Sequence, residues 1–358
     1  MKPLRLVLFG DGQSPHLVKW ARALAPRVEL HVASSRGLAP ALAELVAPER
    51  TLVLGHATKF SGGNAALLRT LPTLVRWLRR VDADWINAHY LTSHGTLAWL
   101  ARKAGVRALL AASAWGSDIL VAPRQSAALR WVTSRVLRDA AVCTSDSQHM
   151  AGRMRELGAR DVMTFPFGLD ALPPAPGRKA PWLFFANRGL EEIYQPQRVI
   201  ALFAGIAAQQ PEARLVVANS GSLDGALKRQ AAGLGLADRV EFVGRLDAAT
   251  QSAFYASARW YVSVPRSDSV SVSVLEAMGH GCVPILSDLP ANRELVRDGQ
   301  NGLVLPDGKT ALSAADLERL ADDAPAIARA NRDWVGANAL FGPCVDAFVA
   351  RLEQSPPR

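Results

Sequence analysis

The sequence predicts an α/β protein made of two Rossmann-like, doubly wound parallel-sheet domains, and three observations predict it. Short apolar runs recur along the 358 residues, with helix-spaced stretches between most of them. Several runs are apolar without alternation, the pattern of strands covered on both faces. A proline-rich break divides the runs into two sets, and the length suits two domains.

In the first set, strands are expected at residues 4–9, 29–33, 51–54, 85–89, 108–112, 141–144 and 162–166. In the second they are expected at 182–186, 214–218, 240–243, 260–264, 283–286 and 303–305. Most are rich in branched or aromatic side chains and bounded by turn residues. Between the sets, Pro173, Pro174, Pro176, Gly177 and Pro181 prevent regular structure. Residues 171–181 therefore read as a linker, 1–170 as the first domain and 182–340 as the second. Residues 341–358 hold a last helix and tail after the turn Phe341-Gly342, and the sequence does not decide which domain they pack on. Two such sheets are expected to face each other across a cleft, with ligands beyond the carboxyl ends of the strands.

Composition narrows the class. With 49 % hydrophobic and 20 % charged residues, the chain is globular and not disordered. Cys143, Cys282 and Cys344 are an odd, scattered set without a CxxC pair, which fits a reducing, cytoplasmic compartment and no metal site. The apolar run 4–9 is too short for a signal-peptide core, and nowhere do ~18 apolar residues run together. The net charge of +9 is lopsided: residues 1–170 carry 22 Lys and Arg against 12 Asp and Glu, whereas 171–358 carry 19 against 20. That surplus suggests an anionic partner for the first half, such as a membrane surface or a phosphorylated substrate; a solubility feature is the plainer alternative.

The most informative segment is residues 260–287, WYVSVPRSDSVSVSVLEAMGHGCVPILS. A strand leads into a polar loop and a short helix that ends near Gly279 and Gly281. The amides from Ser269 through Val270 and Ser271 to Ser273, with the helix dipole, would form a metal-free anion site. Glu276, one turn in, could accept hydrogen bonds from the vicinal hydroxyls of a ribose. Asp268 could meet a sugar hydroxyl. The plain alternatives are an N-terminal cap for Asp268 and a solvated helix face for Glu276.

This segment resembles the signature of the group 1, family four retaining glycosyltransferases, which have the GT-B fold. Their two acidic positions, both Glu in the family, are matched here by Asp268 and Glu276. Further matches follow in family order: Ser14-Pro15-His16, His89-Tyr90, Trp115-Gly116-Ser117-Asp118, Phe167-Gly168-Leu169-Asp170, Arg188-Gly189-Leu190-Glu191 and Asp298-Gly299-Gln300-Asn301-Gly302. The resemblance implies sugar transfer from a nucleotide-diphosphate sugar to a hydroxyl, with retained configuration and no cofactor or metal. It implies that Arg188 grips the diphosphate, since a guanidinium can hold two phosphate oxygens. Where many relatives carry a Lys six positions later, this chain has Tyr194. It further implies that Gly10 and Gly12 let backbone approach the sugar phosphate, and that His89 and Asp118 hold acceptor or donor sugar. Asn219, Arg245 and Leu246 would meet ribose or base. Many relatives have a His where Trp115 stands, which would leave His89 as the sole imidazole at that rim; a core histidine bonded to backbone is the alternative.

Two rivals need weighing. Gly10-x-Gly12 with Arg36 could begin an NADP fingerprint, although Pro15 occupies the third glycine's place. A GT-B protein that binds sugar nucleotide without turnover is the other, motivated by Asp268 and Tyr194. Asp82-Ala83-Asp84 mimics a metal-binding DxD but precedes a strand. Nucleic acid is not expected as a partner, because the Arg residues are not interleaved with aromatics in any known module. Between residues 65 and 80, apolar residues at helical spacing are flanked by Arg69, Arg76, Trp77, Arg79 and Arg80, and Pro72 must divide the helix. That segment could dock on anionic lipid at the inner membrane face, or simply face the core. The expected protein is a glycosyltransferase of bacterial surface polysaccharide or glycolipid synthesis, either free in the cytoplasm or peripheral at the inner face of the membrane, with a saccharide or lipid-linked acceptor.

Overall fold

The computed structural model describes residues 3–56, 65–175 and 177–354. Pro176 of the expected linker and the last four residues of the tail lie outside them. The described residues form two compact units, residues 1–165 with 341–358, and residues 166–340.

The first unit holds β1 (Arg5–Gly10), β2 (Glu29–Ser34), β3 (Thr51–Val53), β4 (Trp85–His89), β5 (Leu109–Ser113), β6 (Val142–Ser145) and β7 (Val162–Thr164), in spatial order β3-β2-β1-β4-β5-β6-β7. The second holds β8 (Ala180–Ala186), β9 (Arg214–Ala218), β10 (Val240–Gly244), β11 (Ala258–Ser263), β12 (Val283–Ser287) and β13 (Leu303–Leu305), in order β10-β9-β8-β11-β12-β13. All neighbouring pairs are parallel. The expected strands are all present, shifted by a residue or two at their ends. Every residue of β4, β5 and β12 is buried, which is why these strands read as unbroken runs.

Strand order reverses between β1 and β4 in one sheet and between β8 and β11 in the other. Loops diverge at such points, so a crevice opens beyond the carboxyl ends of those two strands in each unit.

One boundary differs from expectation, and one question left open is answered. Residues 166–181 belong to the second unit: the Leu169 amide donates to the Ala339 carbonyl at 2.8 Å, and Arg332 donates to the carbonyls of Pro173 and Pro174. Proline blocks regular structure there but leaves carbonyls that a guanidinium can collect. The final helix Phe341–Glu353 packs on the first unit, where Phe341 and Phe348 meet the buried Trp20 edge-on at 5.2 and 5.3 Å. Arg351 also pairs there with Asp161 at 2.5 Å.

Pro72 opens the helix Leu71–Val81 and separates it from a short turn at Ala65–Leu68. Leu74, Val75, Trp77 and Leu78 are buried in the core, so the core-facing alternative describes the apolar side of this helix. No described helix is long and apolar enough to cross a membrane.

Candidate active site

In the second unit, the strand ends bring the sequence-predicted residues together. Arg188 follows β8 and Asp268 follows β11, the two strands at the reversal. Arg188 Nη2 donates to Asp268 Oδ2 at 2.7 Å, with the two side chains 19 % and 21 % exposed. Its Nη1 donates to Ser273 Oγ at 3.2 Å and also to Ser271 Oγ. Tyr194, at the position where many relatives carry a second cation, has its ring centre 4.5 Å from the Arg188 guanidinium. An aromatic face there holds the cation in place through its π quadrupole. Burial works against the charge of Arg188, but Asp268 and the nearby tyrosines hold it above its ordinary value, so it stays protonated. Burial lifts the Asp268 carboxyl, with Arg188 pulling the other way.

The helix Val272–Gly279 starts at Ser271, whose side chain does not cap it. Its hydroxyl serves Arg188 instead, so the dipole's positive end is left to other anions. Ser269, Val270 and Ser271 are buried; the Val270 side chain belongs to the core, so it can offer a ligand only backbone. Glu276 is turned inward, accepting at Oε2 from the Tyr255 hydroxyl at 3.0 Å and from Gln251 Nε2 at 3.3 Å. A buried relay extends this: the Tyr261 hydroxyl donates to Asn187 Oδ1 at 2.8 Å, and Asn187 Nδ2 donates to the Tyr255 hydroxyl at 2.7 Å. Asn187, Tyr255 and Tyr261 were not anticipated from the sequence, and Ser273 was expected to offer its amide, not its hydroxyl. Asn187 could have been, since it directly follows β8; Tyr255 sits on the helix Ala248–Ser257, where nothing local marks it.

Asn219 and Arg245 follow β9 and β10 on the same edge. Asn219 holds φ at +85° and donates from Nδ2 to the Asn187 carbonyl at 3.4 Å, while Arg245 donates to Ser220 Oγ at 2.8 Å. Leu246 packs against the core.

In the first unit, the loop after β1 is tightly closed. A Cβ on Gly12 would lie 2.7 Å from Ser34 Oγ and 2.8 Å from the Gly37 carbonyl, and one on Gly10 would lie 2.5 Å from Leu17 Cδ1. Gly12 is thus required by the fold itself, whereas at Gly10 the obstacle is the movable end of the Leu17 side chain. Asp11 binds Arg36 through both oxygens, at 3.0 and 2.5 Å, and Pro15 begins a helix. The feature read as an NADP contact is therefore an internal ion pair.

His89 ends β4 at 2 % exposure against the rings of Trp20 and Trp115, and its Nε2 has no hydrogen-bond partner among the described residues. Burial drives it well below its ordinary pKa, with His94 and His16 adding to the shift, so the ring is neutral. His89 is not the sole imidazole there: His16 lies tilted against Trp115 with ring centres 4.5 Å apart, and His94 bonds the His89 carbonyl and Ser35 Oγ, both at 2.9 Å. Burial takes His94 down to about 4. Asp118 is 1 % exposed, its oxygens accepting the amides of Leu91 at 2.9 Å and Trp115 at 3.0 Å. It ties the loop after β4 to the loop after β5. Asp84, in the DxD-like triplet, accepts the Arg5 amide at 2.8 Å at the opposite edge of the sheet. No cluster of three metal-ligating side chains occurs among the described residues.

Residues 174–334 match the family described as glycosyl transferases group 1, and residues 5–147 match glycosyl transferase 4-like. The chain is similar to a phosphatidyl-myo-inositol mannosyltransferase of Mycobacterium leprae, 26 % identical over 324 residues, covering 86 % of this chain and 83 % of that protein. It is also similar to a GDP-mannose:cellobiosyl-diphosphopolyprenol alpha-mannosyltransferase of Xanthomonas oryzae pv. oryzae, 27 % identical over 137 residues, 38 % of this chain and 34 % of that protein. The crystal structure of HepE from Anabaena with UDP and glucose superposes with a TM-score of 0.76 at 16 % identity, covering 98 % of this chain and all of that one, and gives the fold class as GT-B.

Proposed function

Since the chain belongs to the group 1 glycosyl transferases, we propose that it transfers a sugar, with retained configuration and without a metal, from a nucleotide-diphosphate sugar to a saccharide or lipid-linked acceptor. The setting proposed is surface polysaccharide or glycolipid synthesis at the cytoplasmic face of the membrane. One observation carries the reading. At the β8/β11 reversal, a protonated Arg188, an uncapped helix start and the inward-turned Glu276 are joined by hydrogen bonds into one cluster.

In this scheme Arg188 and the amides around Ser271 take the diphosphate oxygens. That supplies by fixed charge what a metal would otherwise supply. Glu276, held by Tyr255 and Gln251, accepts the ribose hydroxyls, and Asn219, Arg245 and Leu246 border the nucleoside. Asp268 exchanges its bond with Arg188 for a sugar hydroxyl. The acceptor oxygen attacks the anomeric carbon on the face from which the diphosphate leaves. The carbon–oxygen bond to phosphate breaks, and the acceptor proton passes to a phosphate oxygen. No protein nucleophile is needed; positioning and charge carry the step. The neutral His89 offers a hydrogen bond to a sugar hydroxyl without adding charge, and Asp118 acts by holding the two loops around it.

A thermal-shift screen over UDP, GDP, ADP and dTDP sugars tests this. The two mannosyltransferase relatives, one of them named as GDP-mannose-dependent, give GDP-mannose the first place. A ligand at a hundredfold excess over its Kd stabilises by about 2.7 kcal/mol. Response to none of them would overturn the proposal. Binding without hydrolysis or transfer in the presence of cell-extract acceptors would favour the non-catalytic binder that Tyr194 motivates.

A further inference from the structure

The chemistry above leaves one cationic, aromatic face of the first unit without a role. On the helix Ala127–Asp139, Trp131 is 56 % exposed, the most open of the large apolar side chains among the described residues. The Arg135 guanidinium lies 5.4 Å from its ring centre, and Trp99, from the helix Thr96–Lys103, meets it edge-on at 6.2 Å. Beside them is a hollow of about 440 Å³ whose lining includes Trp99, Arg102, Lys103, Arg138 and Arg160. Its one acid, Asp139, is already paired with Lys103 at 2.7 Å.

This face therefore joins an exposed apolar ring to an excess of positive charge. The same pair suits the boundary of an anionic bilayer, where the ring sits at headgroup level and the cations meet lipid phosphates. In the segment 65–80, for which the sequence suggested this role, Trp77 is 4 % exposed and packs edge-on against His31, so no aromatic ring accompanies the exposed Arg76, Arg79 and Arg80, and Leu68 is the exposed large apolar side chain there.

We infer that the surface formed by the helices Thr96–Lys103 and Ala127–Asp139, centred on Trp131, docks the protein on an anionic lipid bilayer. The inference deepens the proposal of a membrane-held acceptor and rests on it, but its physical test is separate.

The test is co-sedimentation of the full chain with vesicles of phosphatidylcholine alone or with added phosphatidylglycerol. Binding is expected only with the anionic lipid, reversed by salt, with a blue shift of tryptophan emission. Arg130 is exposed on the same helix, one residue before Trp131, and combined Arg130→Ala and Arg135→Ala should weaken binding by about thirtyfold. Trp131→Ala should abolish most of the blue shift. All three substitutions are on the surface and should leave the melting temperature and the donor response unchanged. Arg76→Ala with Arg80→Ala should leave binding as it was. Equal sedimentation with neutral vesicles or unaltered binding of the Arg130/Arg135 variant would overturn the inference. Vesicle binding by a chain that ignores every sugar nucleotide would sink the proposed function and leave this surface standing.

Discussion

Arg188→Ala is the most informative perturbation, because it alters stability and ligand binding in separable ways. The substitution leaves the Asp268 carboxylate, 21 % exposed and paired to Arg188 at 2.7 Å, without its counter-ion. Breaking a fully buried pair costs about 3–5 kcal/mol, and partial exposure reduces that to roughly 2 kcal/mol. For a unit spanning residues 166–340 this corresponds to a fall in Tm of about 4–8 °C near neutral pH. The pH dependence carries the sign. Burial already raises Asp268 above its ordinary value, and Arg188 opposes it; without the guanidinium the folded carboxyl rises further. A folded state that holds its proton more tightly than the unfolded chain loses stability as pH climbs from the ordinary Asp value through the folded one. The deficit of the variant relative to wild type should therefore shrink toward pH 4 and be largest above the raised value. Scanning calorimetry at several pH values reads this, and titration with the responding sugar nucleotide should show affinity down by about 30- to 100-fold, one to two charge-assisted hydrogen bonds to phosphate. A deficit that is the same at every pH, or an unchanged affinity, would refute the electrostatic account of this pair.

Two further substitutions probe the supports. Tyr255→Phe removes the hydroxyl between Asn187 and Glu276 and strands a buried amide donor, at a cost of about 1–3 kcal/mol; chemical denaturation should show the loss, with weaker donor binding and little change in the rate at saturating donor. Asp118→Ala frees the amides of Leu91 and Trp115 and should cost about 2–5 kcal/mol in stability, together with acceptor use, while donor binding persists.

The strands were legible because parallel strands sheathed by helices must be apolar throughout. The β8/β11 and β1/β4 reversals were not, since strand order is a matter of long-range pairing. Arg188, Asp268 and Glu276 could be found because residues at strand ends and helix starts are placed by local geometry. The seat that Tyr194 provides is invisible in sequence, where it reads only as a missing charge; the cation–π contact exists once the turn Glu192–Tyr194 folds back over Arg188. The hydroxyl of Tyr255 comes from a helix 21 residues away from Glu276 in sequence, and no spacing rule reaches it. His89 illustrates the opposite case: its position after β4 was readable, but the rings of Trp20 and Trp115 that desolvate it were not. The side on which the helix Phe341–Glu353 packs depends on the match of its two phenylalanines to Trp20, which periodicity alone cannot reveal.

The most direct measurement is calorimetric titration of the responding nucleoside diphosphate into wild type and Glu276→Gln. The glutamine can still accept from Tyr255 and Gln251, so the melting temperature should hold, whereas the loss of a charged acceptor for the ribose hydroxyls should raise Kd by about 10- to 100-fold. An equal Kd in a folded variant would mean that the nucleotide does not lie against this helix, and the assignment of the site to the β8/β11 reversal would fail.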